Sequence, residues 1–438
     1  MSAMPLFGRK GEDGGEGRKP QTLAVLDIGS SKVACFIGRS EPGGGVRVTG
    51  VGHQSSRGVR CGSVVDLDEA ETAVRAAVEQ AERMAGEAVS RVTVNLSAAQ
   101  PRSHRIAVEG PLSDREVSDR DLRRLLSAAL DEFHEPERVV VHAIPLTWTV
   151  DDSRGVRDPR GMYGRTLAVE MHLVTAASGP LRNLAICVER CRLDMSAVVA
   201  TPYASGLSAL VEDEQELGGL LIDMGGGTTS VAAFAEGALA YVDVIPVGGQ
   251  HVTADVARGL STPVASAERI KTVYGSVLES PDDDQDLIMT PQIGEDGQSS
   301  MNQVPRSLLT QIIKPRLEET FEIVRERLMT AGVDKASGRR AVLVGGACQL
   351  PGVRELAAKI LEKQVRIARP AGVVGLADAV SGPGFTAAAG MLIHAAQGPR
   401  EAISGPPRIT EKGAARRRKE AVEAGGIGGA WSWLRENF

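Results

Sequence analysis

The chain has 438 residues and a formal net charge of −6, a length that points to about three domains or one large composite fold. Hydrophobic residues make up 42% and charged residues 24%, as in ordinary globular chains. With only 3 Trp, 4 Tyr and 7 Phe the core must be aliphatic, which speaks against aromatic stacking on single-stranded nucleic acid, and the acidic balance speaks against bulk nucleic-acid binding. There is no run of about 18 apolar residues, so no segment is predicted to span a membrane. Met1–Pro20 is Gly-rich and charged and lacks the apolar core of a secretory signal. Five cysteines, an odd number spread over a long chain, make no disulfide framework. Cys187 and Cys191 stand one helical turn apart but lack the further ligands of a metal site. They read as packing residues, and the compartment as a reducing one.

Residues 1–20 are predicted to be a disordered tail. From Thr22 the apolar run Leu23–Leu26 ends in Asp27-Ile28-Gly29, resumes at Val33–Ile37 and returns at Val46–Val51, a strand–turn–strand–turn–strand meander. Asp66 to Met84 follows as a helix, with Ala70, Val74, Ala77, Val78 and Ala81 at helical spacing and Asp66 or Asp68 as its cap. Residues 103–179 have a different texture. A helix from Ser118 to Glu132 and strands at Val139–Val150 and Leu167–Thr175 suggest a small α+β module.

Nearly two hundred residues after the first, the meander returns. Gly219–Ile222 runs into Asp223-Met224-Gly225-Gly226-Gly227-Thr228-Thr229, then Val231–Phe234 and Leu239–Val247, with a second turn that reads as longer by two residues. So long a period is not that of a solenoid, whose units run about 20–50 residues. It implies a duplicated domain, two similar lobes facing across a cleft. Ser280–Pro305, rich in Asp and Pro, reads as an exposed loop. A long helix then places Ile313, Leu317, Phe321, Val324 and Leu328 on one face, and Ala341–Val344 is a strand entering Gly345-Gly346. After about Ala396 the chain turns polar. Its last residues put Ile427, Trp431, Leu434 and Phe438 on one helical face, with Trp433 beside them and Arg416, Arg417, Arg418 and Lys419 upstream. That is the pattern of a helix lying in an anionic membrane surface.

The two Asp-x-Gly turns carry the chemistry. An Asp at the carboxyl end of a buried strand sits where α/β sheets bind ligands. Glycines let backbone N–H groups approach an anion, and Ser30, Ser31, Lys32, Thr228, Thr229 and Ser230 add donors, a nest suited to phosphate. Asp27 and Asp223 beside phosphates would repel them without a cation, so Mg²⁺ held largely through water is expected. Gly345-Gly346 after a buried strand allows a flat group to lie against the backbone.

These two turns, the helix after Thr201-Pro202-Tyr203-Ala204-Ser205-Gly206, the Gly-Gly pair and Gly382-Pro383-Gly384-Phe385 before a late helix resemble the actin-like ATPase fold. Within it the chain resembles the FtsA family of bacterial cell-division proteins, helped by Asp158-Pro159-Arg160-Gly161-Met162-Tyr163-Gly164 in the insertion. The resemblance covers residues 20–395 and extends to the tail. It implies an α/β fold of two duplicated lobes around a nucleotide cleft, with an SHS2-like insertion in the first. The first lobe would comprise 21–102 and 180–212, the insertion 103–179, and the second lobe 213–395. Within the second lobe an outer subdomain would lie at about 248–338, and a late helix at 385–395 would pack back on the first lobe. A flexible linker would follow at 396–424 and an amphipathic membrane helix at 425–438.

The resemblance also implies that ATP and Mg²⁺ are bound by Asp27, Gly29, Ser30, Ser31, Lys32, Asp223, Gly225, Gly226, Gly227, Thr228, Glu268, Lys271, Gly345 and Gly346. On periodicity alone, Glu268 and Lys271 would be a solvated charged face. Thr201 stands where hydrolysing relatives place an acid or amide, and a Thr is a poor general base, so ATP turnover should be slow. The implied partners are the C-terminal tail of FtsZ, further copies in a filament, membrane lipid and later division proteins, at the cytoplasmic face of the inner membrane at the septum. No nucleic acid is implied. A pilus-assembly scaffold of the PilM type shares the insertion but not the terminal helix. A small-molecule kinase would need an acceptor pocket with a catalytic carboxylate, and a DnaK-type chaperone a β-rich peptide-binding domain; neither can be pointed to here.

Overall fold

The computed structural model describes residues 21–41, 45–293, 301–398, 401–402 and 407. The predicted tail at 1–20, most of the linker and the helix at 425–438 lie outside the described residues.

Two sheets share one plan. In the first, the order is Asp194–Ala200, Arg91–Leu96, Thr22–Ile28, Lys32–Ser40, Val46–Ser55, with Val373–Val374 added at the edge. In the second it is Gln364–Ile367, Arg340–Val344, Gly219–Met224, Thr229–Ala235, Ala238–Ile245. In each, the central strand that ends in the Asp-x-Gly turn has two parallel neighbours on one side and the antiparallel meander on the other. Such central strands are buried on both faces, so they read as continuous apolar runs without alternation. The repeat legible in the sequence is therefore a repeat of sheet order. The two turns are of equal length, contrary to the reading of a longer second one. Asp27 pairs with Ala34 and Asp223 with Ser230, seven residues on in both cases.

The helix Leu67–Ala85 begins where the Asp66 carboxylate accepts from the N–H groups of Asp68 and Glu69, and ends at Gly86 with φ 71°. Its buried face carries four alanines and two valines because it lies close to the sheet. A Cβ on Gly52 would come within 1.9 Å of Ala77 O. The late helix Thr386–Gln397 packs Ala388, Met391 and Leu392 into the core of the first sheet with Leu23, Val25 and Phe36. The second sheet packs on the long helix Arg306–Thr330, whose Ile313, Leu317, Phe321, Val324 and Leu328 are all buried.

The inserted module is a four-stranded antiparallel sheet in the order Arg102–Glu116, Tyr163–Ala177, Arg138–Val150, Ser153–Val156. It is covered by Asp119–Glu132, which packs Leu122, Leu125 and Leu126 on Trp148, Leu167 and Met171. At the helix start, Arg115 donates to both Asp121 oxygens at 2.8 and 2.7 Å. Those bonds, more than Ser118, hold the Asp121 carboxyl well below its usual range.

Three expectations change. The strand Arg102–Glu116 was not foreseen, and Ser280–Pro305 is not simply a loop. Within it Leu287–Pro291 and Met301–Pro305 form a hairpin, and its prolines Pro291 and Pro305 stand at strand ends, where a missing N–H costs little. Third, the stretch expected to be a flexible linker starts as helix through Gln397, and Glu401 within it is buried.

Candidate functional site

Asp27 and Asp223 lie at the carboxyl ends of the two central strands, each 8% exposed. Each is followed by a turn closed in the same way: Gly29 N–H donates to Lys32 O at 3.0 Å, and Gly225 N–H to Thr228 O at 2.9 Å. The turns meet face to face. A Cβ on Gly226 would lie 2.7 Å from Ser31 Cβ, and one on Gly227 would lie 2.4 Å from Ser30 Oγ and 2.9 Å from Cys61 Cα. Only glycine allows this approach.

Surrounding elements hold the turns. The helix Gly249–Gly259 directs its first N–H groups at the second turn, with Gly249 N donating to Gly225 O at 3.0 Å and Gln250 N to Gly226 O at 2.8 Å. The Gln250 side chain crosses to the first turn, and its Nε2 donates to Ser30 O at 2.9 Å. Gly62 N donates to Ser30 Oγ at 2.8 Å. Asn95, buried on the neighbouring strand, accepts from Ile28 N at 2.7 Å. Gly345, at φ 86°, closes the third side, where a Cβ would come within 2.6 Å of Asp223 Oδ1.

The electrostatics follow from burial. Burial pushes the Asp27 carboxyl up to about 6, with Asp223 adding to the rise and Lys32 opposing it. Burial likewise raises Asp223, against the hydrogen bond that Ser205 Oγ donates to its Oδ2 at 2.6 Å. Lys32 is lowered by burial and held up by both carboxylates. Its ammonium donates to Gly384 O and lies 3.7 Å from the centre of the Phe385 ring. Two buried carboxylates thus face one ammonium. That surplus of negative charge fits a divalent cation held through water, and the glycine turns fit phosphate. Beside them, a Cβ on Gly346 or Gly382 would meet nothing within 4 Å, which leaves open space for a flat group against the backbone. The residues present therefore suit Mg²⁺ and a nucleotide.

Glu268 and Lys271 are not an ordinary solvated pair. Lys271 is 13% exposed, and its Nζ donates to Thr253 Oγ1 at 2.8 Å, Glu268 Oε2 at 2.7 Å and Gly249 O at 3.2 Å. Gly249 in turn faces Ala347. This places the pair beside the Gly345-Gly346 element, with Glu268 half exposed. The Thr201 hydroxyl lies 2.9 Å from Ser97 Oγ and 3.3 Å from Asn95 Nδ2, engaged inside the first lobe. Sequence reasoning missed Ser205, Gln250 and Asn95. The only available signals were that Ser205 falls one turn into the helix Thr201–Ala209 and that Gln250 follows a Gly pair. Ile427, Trp431, Trp433, Leu434, Phe438, Arg416, Arg417, Arg418 and Lys419 lie outside the described residues. Among the described residues no helix is long and apolar enough to cross a membrane.

Comparison with known proteins identifies the family. Residues 220–390 match the family model for cell division protein FtsA, and residues 98–175 match the SHS2 domain inserted in FtsA. Cell division protein FtsA of Rhizobium meliloti (strain 1021) is 46% identical over 387 residues, covering 86% of this chain and 88% of that protein. Its namesake from Escherichia coli (strain K12) is 32% identical over 420 residues, covering 94% and 97%. A chain of the PilM–PilN type IV pilus biogenesis complex superposes with a TM-score of 0.62 over 86% of this chain and 99% of that one, at 17% identity, a likeness of fold alone. The chain belongs to the FtsA family of cell-division proteins, built on the actin-like ATPase fold with an SHS2 module inserted in the first lobe.

Proposed function

We propose that the chain binds Mg²⁺–ATP between its lobes, assembles with further copies into an actin-like filament, and tethers the FtsZ ring to the cytoplasmic face of the inner membrane at the septum. The observation that carries the nucleotide reading is the meeting of both Asp-x-Gly turns, Lys32 and Gly345 around two buried carboxylates. The glycine turns would take the phosphates, Lys32 would neutralise them, Gly345-Gly346 would shelve the adenine, and Glu268 and Lys271 would reach the ribose. Bound Mg²⁺ would offset charge between the phosphates and the carboxylates, held by Asp27 and Asp223 largely through water. Thr201 is already engaged by Ser97 and Asn95 and is a poor base, so ATP acts mainly as a conformational ligand. Tethering rests on the tail. Trp431, Leu434 and their neighbours insert, Arg416–Lys419 attract anionic headgroups, and the C-terminal tail of FtsZ and later division proteins are the protein partners.

A fluorescent-ATP titration of the parent and of Asp223→Ala tests the cleft, with phosphate release followed in parallel. The reading holds if the parent binds and the variant does not, with turnover far below the typical enzyme value of about 10 per second. Equal binding by both would refute the cleft assignment, and fast turnover would revive an enzymatic role.

A further inference from the structure

Far from the cleft carboxylates in sequence, three buried titratable side chains from separate segments meet: His142, His394 and Glu401. His142 belongs to the inserted module's strand Arg138–Val150, His394 to the late helix, and Glu401 to the chain beyond it. The Glu401 carboxylate lies 3.0 and 3.1 Å from His142 Nδ1 and 3.4 Å from His394 Nε2. The Tyr203 ring stands edge-on to both imidazoles, at 5.1 and 5.8 Å. Next to it, Ala402 N donates to Ala143 O at 2.8 Å, and Ala402 packs on the core of the inserted module. Burial alone would raise the Glu401 carboxyl, but His142 and His394 outweigh it and hold it down at about 2.

Two histidines and a carboxylate at this spacing invite a metal reading, and one hydrogen bond argues against it. Ala200 N donates to His142 Nε2 at 2.9 Å. That nitrogen is an acceptor, so the ring proton sits on Nδ1 and points at Glu401. A metal on Nδ1 would require the proton to move to Nε2, against the Ala200 N–H. The cluster is complete as a hydrogen-bonded pair with His394 in support.

We propose that Glu401 is a clasp that fastens the root of the C-terminal tail to the seam between the inserted module, the Thr201–Ala209 helix and the late helix. The chain is then held at least to residue 402, beyond Gly398, where the late helix ends. Opening the clasp releases about five residues and lengthens the reach of the tail by roughly 17 Å when extended. The clasp also ties the chain beyond the late helix to the inserted module, together with the Ala402 N to Ala143 O hydrogen bond. It does not depend on the nucleotide reading.

Hydrogen exchange on the full-length chain tests this at the Ala402 amide. In the parent that amide should be protected. In Glu401→Ala, which loses a charge-assisted hydrogen bond, it should exchange faster by roughly tenfold or more, while core amides of Leu26 and Val342 stay unchanged. Glu401→Gln keeps an acceptor oxygen and should fall between; it serves as the test if the Ala variant disturbs the core amides. An Ala402 amide that exchanges at the free-chain rate in the parent, or equally in parent and variants, would overturn the clasp. So would protection that appears only when Zn²⁺ is added.

Discussion

Asp27→Asn should stabilise the nucleotide-free protein at neutral pH while weakening its response to Mg²⁺–ATP. Asp27 is buried at the end of Thr22–Ile28, and burial moves its carboxyl from the ordinary 3.8 to about 6 despite Lys32. In the unfolded chain the group ionises near 3.8. As pH rises from there through 6 the unfolded state loses its proton first, so stability falls across that window and the loss is complete above it. At 1.36 kcal/mol per pH unit, the gap corresponds to about 3 kcal/mol at neutral pH. Asn keeps the shape and removes the charge, so the variant should gain up to that amount at about pH 7.5 and nothing by about pH 4. With Mg²⁺–ATP the order should narrow or reverse, because a ligand at a hundredfold excess over its Kd stabilises the parent by about 2.7 kcal/mol and the variant by less. Urea midpoints followed by circular dichroism across this pH range measure both effects. Circular dichroism is preferred because Trp148, buried in the inserted module, would report only on that module. A variant no more stable than the parent at neutral pH, or a gain that does not shrink on acidification, would refute the argument.

Gly390→Ala tests the helix contact behind the cleft. Its Cβ would lie 1.7 Å from Ala204 O, so the late helix and Thr201–Ala209 must part, at a cost on the order of 1–3 kcal/mol in denaturant midpoints. Gly226→Val places branched carbon against Ser31 between the two turns, and calorimetric ATP binding should vanish while the dichroism of the sheets persists. Trp431→Glu or Leu434→Glu should leave the protein in the supernatant when liposomes are pelleted, with ATP binding intact. Neutralising Arg416–Lys419 should act more gently and more on anionic lipid. If filament avidity of roughly 10²–10⁴ drives attachment, conditions that block assembly should release the parent as well. Pelleting unchanged by Trp431→Glu would sink the tether.

Much of the cleft was legible in the sequence because its logic is local. An apolar strand ending in Asp-x-Gly fixes its own hairpin and turn within seven residues, and two such units announce a duplication before any contact is known. The helices were legible for the same reason: Leu317, Phe321 and Val324 recur at the helical period, and Asp66 caps the helix that follows it. What escaped depended on distant partners. Arg102–Glu116 contains Gly110, Pro111 and several charges, and it becomes a strand only because Tyr163–Ala177 lies beside it to take its hydrogen bonds. Leu287–Pro291 and Met301–Pro305 pair although proline ends each. Tertiary packing alone decided that the two turns touch, that Ser205 reaches Asp223, that Gln250 crosses to Ser30, and that Glu401 finds His142 259 residues away in the chain. No periodicity encodes such contacts, because burying a polar group is favourable only where the fold has already placed its partner.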